Sequence, residues 1–167
     1  MKRITLLFAF FLAVQVSQAQ YQHALGLRAI NTVAFGNFGG TGPGATFKTF
    51  LSERAALDLT LSGFGYYDAV NNTRNGWFVL TGLLEIHKPQ AFLDNFSFYY
   101  GGGLHMGAAT GAGFTGGLDG VFGAEWIFPF APQFAVSLDV IPAANFSSAA
   151  IWPSISTTAG AKWIFAK

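Results

Sequence analysis

The chain has 167 residues, of which 10% are charged and 51% hydrophobic, with a formal net charge of +1 and no cysteine. A soluble globular domain carries about 25% charged residues, and nucleic-acid-binding domains are strongly basic, so neither class fits and a nucleic-acid partner is not expected. Stability cannot come from disulfides and must come from packing and backbone pairing.

The first element is an export signal. Met1-Lys2-Arg3 is a basic start, Ile4 to Val16 is apolar, and Ser17-Gln18-Ala19 is a small-x-small cleavage site. This pattern reads as a signal peptide over residues 1–19. The apolar stretch is shorter than the roughly 20 residues a spanning helix needs. No Cys follows for a lipid anchor. Removing 19 of 167 residues leaves 148 and takes Lys2 and Arg3 away, so the formal charge falls from +1 for the whole chain to −1 for residues 20–167.

Residues 20–167 alternate. Apolar side chains take one parity, small or polar ones the other, and Gly-, Pro-, Asn- and Ser-rich breaks separate the segments. Strand one spans about Tyr21 to Phe35, with His23, Leu25, Leu27 and Ala29 opposite Gly26 and Arg28. Gly36 to Gly44 reads as a break. Strand two, Ala45 to Leu51, sets Ala45, Phe47 and Leu51 against Thr46 and Lys48, and Ser52-Glu53-Arg54 turns the chain. Strand three, Ala55 to Tyr66, has Leu57, Leu59 and Leu61 on one face and Asp58, Thr60 and Ser62 on the other. Asp68 to Gly76 is a turn cluster.

Strand four, Trp77 to His87, is apolar on both parities up to Glu85, which leaves its facing open. A turn with Pro89 runs to Asn95. Strand five, Phe96 to Met106, sets Phe96, Phe98, Tyr100, Leu104 and Met106 against Ser97, Tyr99, Gly101, Gly103 and His105. Gly107 to Gly117 reads as a loop. Strand six, Leu118 to Phe128, points Phe122, Ala124, Trp126 and Phe128 outward and Asp119, Gly123 and Glu125 inward. After a turn at Pro129 to Pro132, strand seven, Gln133 to Ile141, points Phe134, Val136, Leu138 and Val140 outward and Ser137 and Asp139 inward. Pro142 to Pro153 reads as a loop. Strand eight, Ser154 to Lys167, points Ile155, Ala159, Ala161, Trp163 and Phe165 outward and Ser156, Thr158, Gly160 and Lys162 inward.

Period-2 segments behind an export signal, without a spanning helix, predict an all-β fold: an eight-stranded antiparallel up-and-down transmembrane β-barrel with an apolar outside and a polar lumen. An even strand count puts both termini on the periplasmic side and the connections after strands one, three, five and seven outside the cell. The inward parity carries Arg28, Lys48 and Lys162, with Asp58, Glu85, Glu125 and Asp139. Eight strands leave an interior that side chains just fill, so these charges are expected to pair and plug the lumen. Tyr, Trp and Phe near strand ends are expected to form interface girdles.

The run Gly117-Leu118-Asp119-Gly120-Val121-Phe122-Gly123-Ala124-Glu125-Trp126, then Phe128-Pro129, Ala135-Val136-Ser137-Leu138-Asp139 and Pro142, resembles the C-terminal half of small outer-membrane β-barrel proteins of Gram-negative bacteria, of the OmpX/OmpW-like kind. Phe98-Tyr99-Tyr100-Gly101-Gly102-Gly103-Leu104-His105 is similar to them as well. The likeness covers roughly residues 96 to 167 and implies a cell outer-membrane location, outer-membrane lipids and the barrel-assembly machinery as partners, and a monomer. Such chains usually end on an aromatic residue; here Phe165 is followed by Ala166 and Lys167.

No reaction is written in the chain. Ser97 and His105 share a parity, and a Ser/His pair would suit lipid hydrolysis, but no third orienting group stands at a telling spacing. His23, His87 and His105 are scattered and make no metal motif. Gly101-Gly102-Gly103 precedes neither a helix start nor a Lys, so it is no phosphate loop. No catalytic, metal or cofactor residue is expected. A structural or interaction barrel is the leading function, with a membrane-embedded lipid-modifying enzyme as the alternative. Third come a small-solute pore or a barrel that binds an apolar ligand at its mouth.

Overall fold

The computed structural model describes residues 21–34, 39–68, 73–91, 93–110, 113–147 and 151–166. The expected signal peptide lies outside the described residues. Eight strands follow one another: β1 (His23–Ala34), β2 (Gly39–Phe50), β3 (Ala55–Asp68), β4 (Thr73–Pro89), β5 (Phe96–Ala109), β6 (Gly113–Ile127), β7 (Phe134–Ser147) and β8 (Ile151–Ala166). Each pairs antiparallel with the next, and β8 closes on β1 from Ala24↔Ile164 to Ala34↔Ser154. Closure leaves no free sheet edge.

The alternation in sequence becomes an alternation in space. Leu27 is 71% exposed on the outside and its neighbour Arg28 is 3% exposed in the lumen. The same parity holds along β3, β5, β6, β7 and β8. β4 takes the facing its sequence left open: Trp77, Val79, Leu83, Glu85 and His87 point in, and Phe78, Leu80, Leu84 and Ile86 point out. Rings gather at the barrel end that holds the termini, as in Phe96–Phe98, Trp126–Phe128 and Phe134–Trp163.

Three breaks read from the sequence are largely strand. Gly39 to Gly44 belongs to β2 and pairs with β1 through Gly44↔Arg28 and Thr41↔Asn31. Gly107 to Ala109 and Gly113 to Gly117 extend β5 and β6, and Pro142 to Ser147 and Ile151 to Pro153 extend β7 and β8. Asn75-Gly76 likewise lies in β4. Proline and glycine weaken a ladder locally without ending a strand that both neighbours hold. The interruptions are visible: β2–β3 pairing passes from Gly44↔Ser62 to Thr41↔Gly65, skipping Pro43. β6–β7 pairing passes from Phe122↔Val140 to Asp119↔Ala143, skipping Pro142.

Candidate functional site

The lumen is filled from the terminal end upward. Tyr21, just before β1, is buried with Ala24, Ile127, Ala135 and Ile164 against Phe50 and forms an apolar floor. Its hydroxyl donates to Glu125 Oε1 at 3.0 Å.

Above this floor sits a four-charge cluster. Lys162 Nζ lies 2.6 Å from Glu125 Oε2. Lys48 Nζ lies 3.1 Å from the same oxygen and 2.7 Å from Glu85 Oε2. All four side chains are fully buried. The Lys48 ammonium also stands 4.4 Å from the centre of the Tyr99 ring, a cation–π contact. Higher up, Arg28 bonds Asp58 and reaches Asp139 at 3.4 Å. Hydroxyls complete both carboxylates: Thr46 and Thr60 donate to Asp58 at 2.8 and 3.0 Å, and Tyr99 and Thr158 donate to Asp139.

The seven charges picked from the inward parity, Arg28, Lys48, Asp58, Glu85, Glu125, Asp139 and Lys162, therefore all lie in the lumen, each beside an opposite charge. The tally of three cations against four acids needs correcting. Asp119 is also inside, and its carboxylate holds His105 Nδ1 at 2.9 and 3.0 Å. Asp119 stood on the inward parity in sequence, so the signal was present.

The Ser97/His105 pairing is not formed. Along one strand these residues are eight positions apart, roughly 26 Å at 3.3 Å per residue. Ser97 instead meets His87, the last residue of the strand four expected from sequence: Ser97 Oγ is 3.0 Å from His87 Nδ1, and His87 Nε2 is 3.1 Å from Glu85 Oε2. Acid, imidazole and hydroxyl thus stand in the order a hydrolase uses. Ser97 is 0% exposed, however, and His87 is clamped between the rings of Phe50 and Tyr99, at 4.8 and 4.7 Å. Closed off from solvent, the three groups form a hydrogen-bonded strut inside the lumen.

Two glycines make room for the network. A Cβ on Gly123 would stand 2.5 Å from both the Tyr99 ring and Asp139 Oδ1. One on Gly117 would stand 2.8 Å from His105 Nε2. Both are inward-facing positions where any side chain would collide with the polar core.

Toward the opposite end many of the side chains are short, and a cavity opens among Thr32, Thr60, Ser62, Ser156, Trp77 and Phe64, lined also by Arg28, His105 and Asp119. Among the described residues no group of three or more His, Asp or Glu side chains forms a metal-binding cluster.

Comparison with protein families finds no match, and comparison with curated proteins finds none either. Solved structures do match. Neisserial surface protein A is 14% identical, with a TM-score of 0.58 over 88% of this chain and 98% of its own. Ail, the attachment invasion locus protein of Yersinia pestis, solved in complex with the heparin analogue sucrose octasulfate, is 13% identical, with a TM-score of 0.55 over 87% of this chain and 97% of its own. The N-terminal β-barrel domain of Pseudomonas aeruginosa OprF is 14% identical, with a TM-score of 0.53 over 86% of this chain and 99% of its own. The fold is thus that of small eight-stranded outer-membrane barrels.

Proposed function

We propose that this chain is a small barrel of the cell outer membrane, exported behind residues 1–19, whose lumen is sealed and whose role is structural or interactive. The observation that carries the reading is the buried cluster Lys48–Glu85–Glu125–Lys162, which closes the lumen above the Tyr21 floor. Ions crossing the barrel would have to displace four paired charges that have no solvent to move into, at a cost of several kcal/mol per ion pair. The apolar outer face, the aromatic belt at the terminal end and the likeness to outer-membrane barrels support the location. Outer-membrane lipids cover the outer face, the barrel-assembly machinery inserts the chain, and it stands as a monomer of the OmpX/OmpW-like kind.

The enzymatic alternative has one observation in its favour, the order Glu85–His87–Ser97. Complete burial of Ser97 weighs against it. Planar-bilayer recordings of the refolded protein test the sealed lumen. A silent bilayer is expected, and reproducible single-channel steps would overturn the reading in favour of a pore.

A further inference from the structure

The cavity at the end of the barrel away from the termini has a chemistry of its own. It offers about 60 Å3 open to the centre of a water molecule. One water needs on the order of 10–15 Å3 by that measure. The cavity therefore takes roughly four or five waters, or a ligand of a few heavy atoms.

Its wall has already committed most of its hydrogen-bond donors. Ser62 donates to the Val79 carbonyl at 3.2 Å, Thr60 donates to Asp58, and Thr158 donates to Asp139. The Trp77 indole donates to Thr115 at 3.0 Å. The Asn145 amide donates to the Trp152 carbonyl at 3.0 Å and to Ser154 Oγ at 2.9 Å. What these groups keep are lone pairs.

Two charged groups line the cavity, Arg28 and Asp119. Behind the lining Arg28 is bonded to two further carboxylates, Asp58 and Asp139, so this part of the lumen sets one guanidinium against three acids. Asp119 accepts from His105 Nδ1, which leaves the ring's other nitrogen, Nε2, for a second partner. That nitrogen is buried over Gly117 and has no hydrogen-bond partner. A buried polar atom without a partner calls for one. The aromatic wall of Trp77 and Phe64, with ring centres 6.0 Å apart, adds a surface that attracts cations through its π faces.

We propose that this cavity is a binding site for a small organic cation bearing an ammonium group. Three N–H donors meet a wall rich in acceptors, the positive charge answers the surplus of carboxylates around Arg28, and a short alkyl chain lies against Trp77 and Phe64. A carboxylate ligand would add to the surplus of acids in this part of the lumen, and a neutral alcohol would leave that surplus uncompensated. The site depends on side-chain chemistry alone and stands whether or not the barrel conducts.

The test uses the refolded full-length mature protein in detergent micelles, with the His105 ring and Trp77 indole signals followed by NMR. Three probes of nearly equal size are titrated: n-butylammonium, n-butanol and butyrate. Saturable shifts at both residues are expected with n-butylammonium, with n-butanol at least about tenfold weaker and butyrate inert. Asp119→Asn is expected to weaken n-butylammonium binding by about tenfold or more. Equal or tighter binding of n-butanol would make the site one for neutral hydroxyl compounds and overturn the proposal. Saturable butyrate binding, or no saturable shift with any probe, would overturn it too. If the Asp119 variant does not fold, the three-probe comparison on the wild-type protein decides by itself.

Discussion

Glu125→Gln removes the acid on which two lysines converge. In the wild-type protein Glu125 Oε2 is 2.6 Å from Lys162 and 3.1 Å from Lys48. At an effective dielectric of about 20, two unit charges 2.6 Å apart attract by about 6 kcal/mol before desolvation is counted. The substituted amide still accepts one hydrogen bond, which offsets part of that loss. Breaking a buried pair by removing one partner costs about 3–5 kcal/mol, because the remaining charge stays buried and uncompensated. Lys48 keeps Glu85 at 2.7 Å, so Lys162 is the stranded group. Glu85→Gln should cost less than Glu125→Gln, since Lys48 then keeps Glu125 and Lys162 is untouched. Adding Lys162→Met to Glu125→Gln should recover part of the loss, as an apolar group of similar length replaces the stranded ammonium. Urea unfolding of the protein in lipid vesicles measures all three. If Glu125→Gln and Glu85→Gln prove equally mild, or Lys162→Met deepens the defect, the charge cluster does not hold the lumen together as argued.

The outward parity should face lipid. Leu59→Arg, on the outer face of β3, is expected to cost roughly 2–4 kcal/mol near the bilayer midplane, whereas Ser62→Ala forfeits one bond to the Val79 carbonyl and costs about 1 kcal/mol. Equal tolerance in refolding titrations would contradict the register. Gly123→Ala drives a methyl group against the Tyr99 ring and Asp139 and should destabilise by about 1–3 kcal/mol; an unchanged unfolding midpoint would show that the ring moves aside freely. Tyr21→Phe deletes the hydroxyl bonded to Glu125 and should lower stability by about 1.5–3 kcal/mol in urea, with the fold unchanged by circular dichroism. No loss would mean that the floor rests on the ring alone.

Facing was the most legible property of the sequence, because a period of two fixes which side chains share a side. Leu57, Leu59 and Leu61 against Asp58, Thr60 and Ser62 needed no structure to sort. β4 was illegible for the same reason: Val79 and Leu83 line the lumen while Leu80 and Leu84 line the outside, and both sets are aliphatic. Strand length was misread where glycine and proline stand inside strands paired on both sides, as with Pro43 and Pro142. Partners across the lumen were not readable at all. Lys162 reaches past the neighbouring β7 to Glu125 on β6, and Asp139 on β7 turns to Arg28. Strand tilt and stagger decide who meets whom inside a barrel, and single-chain alternation carries no record of them.

The difference between the two halves of the lumen follows from side-chain size. One closed set of eight strands forms both, so the room available changes little along the axis. The terminal half receives Tyr21, Lys48, Glu85, His87, Tyr99, Glu125 and Lys162, which are long enough to meet across it. The other half receives Thr32, Thr60, Ser62, Ser154, Ser156 and Thr158, which are too short to do so, beside the rings of Phe64, Trp77 and His105. Long charged groups can be packed only where they pair, since each desolvated charge needs a partner. The sealed floor and the open cavity are therefore two outcomes of the same geometry. Arg28 stands at the boundary, with its bonds turned to Asp58 and Asp139 and its remaining surface forming the base of the cavity. With the sealed lumen proposed above, a ligand entering from the far end would stop at that guanidinium, and the barrel would be a cup rather than a conduit.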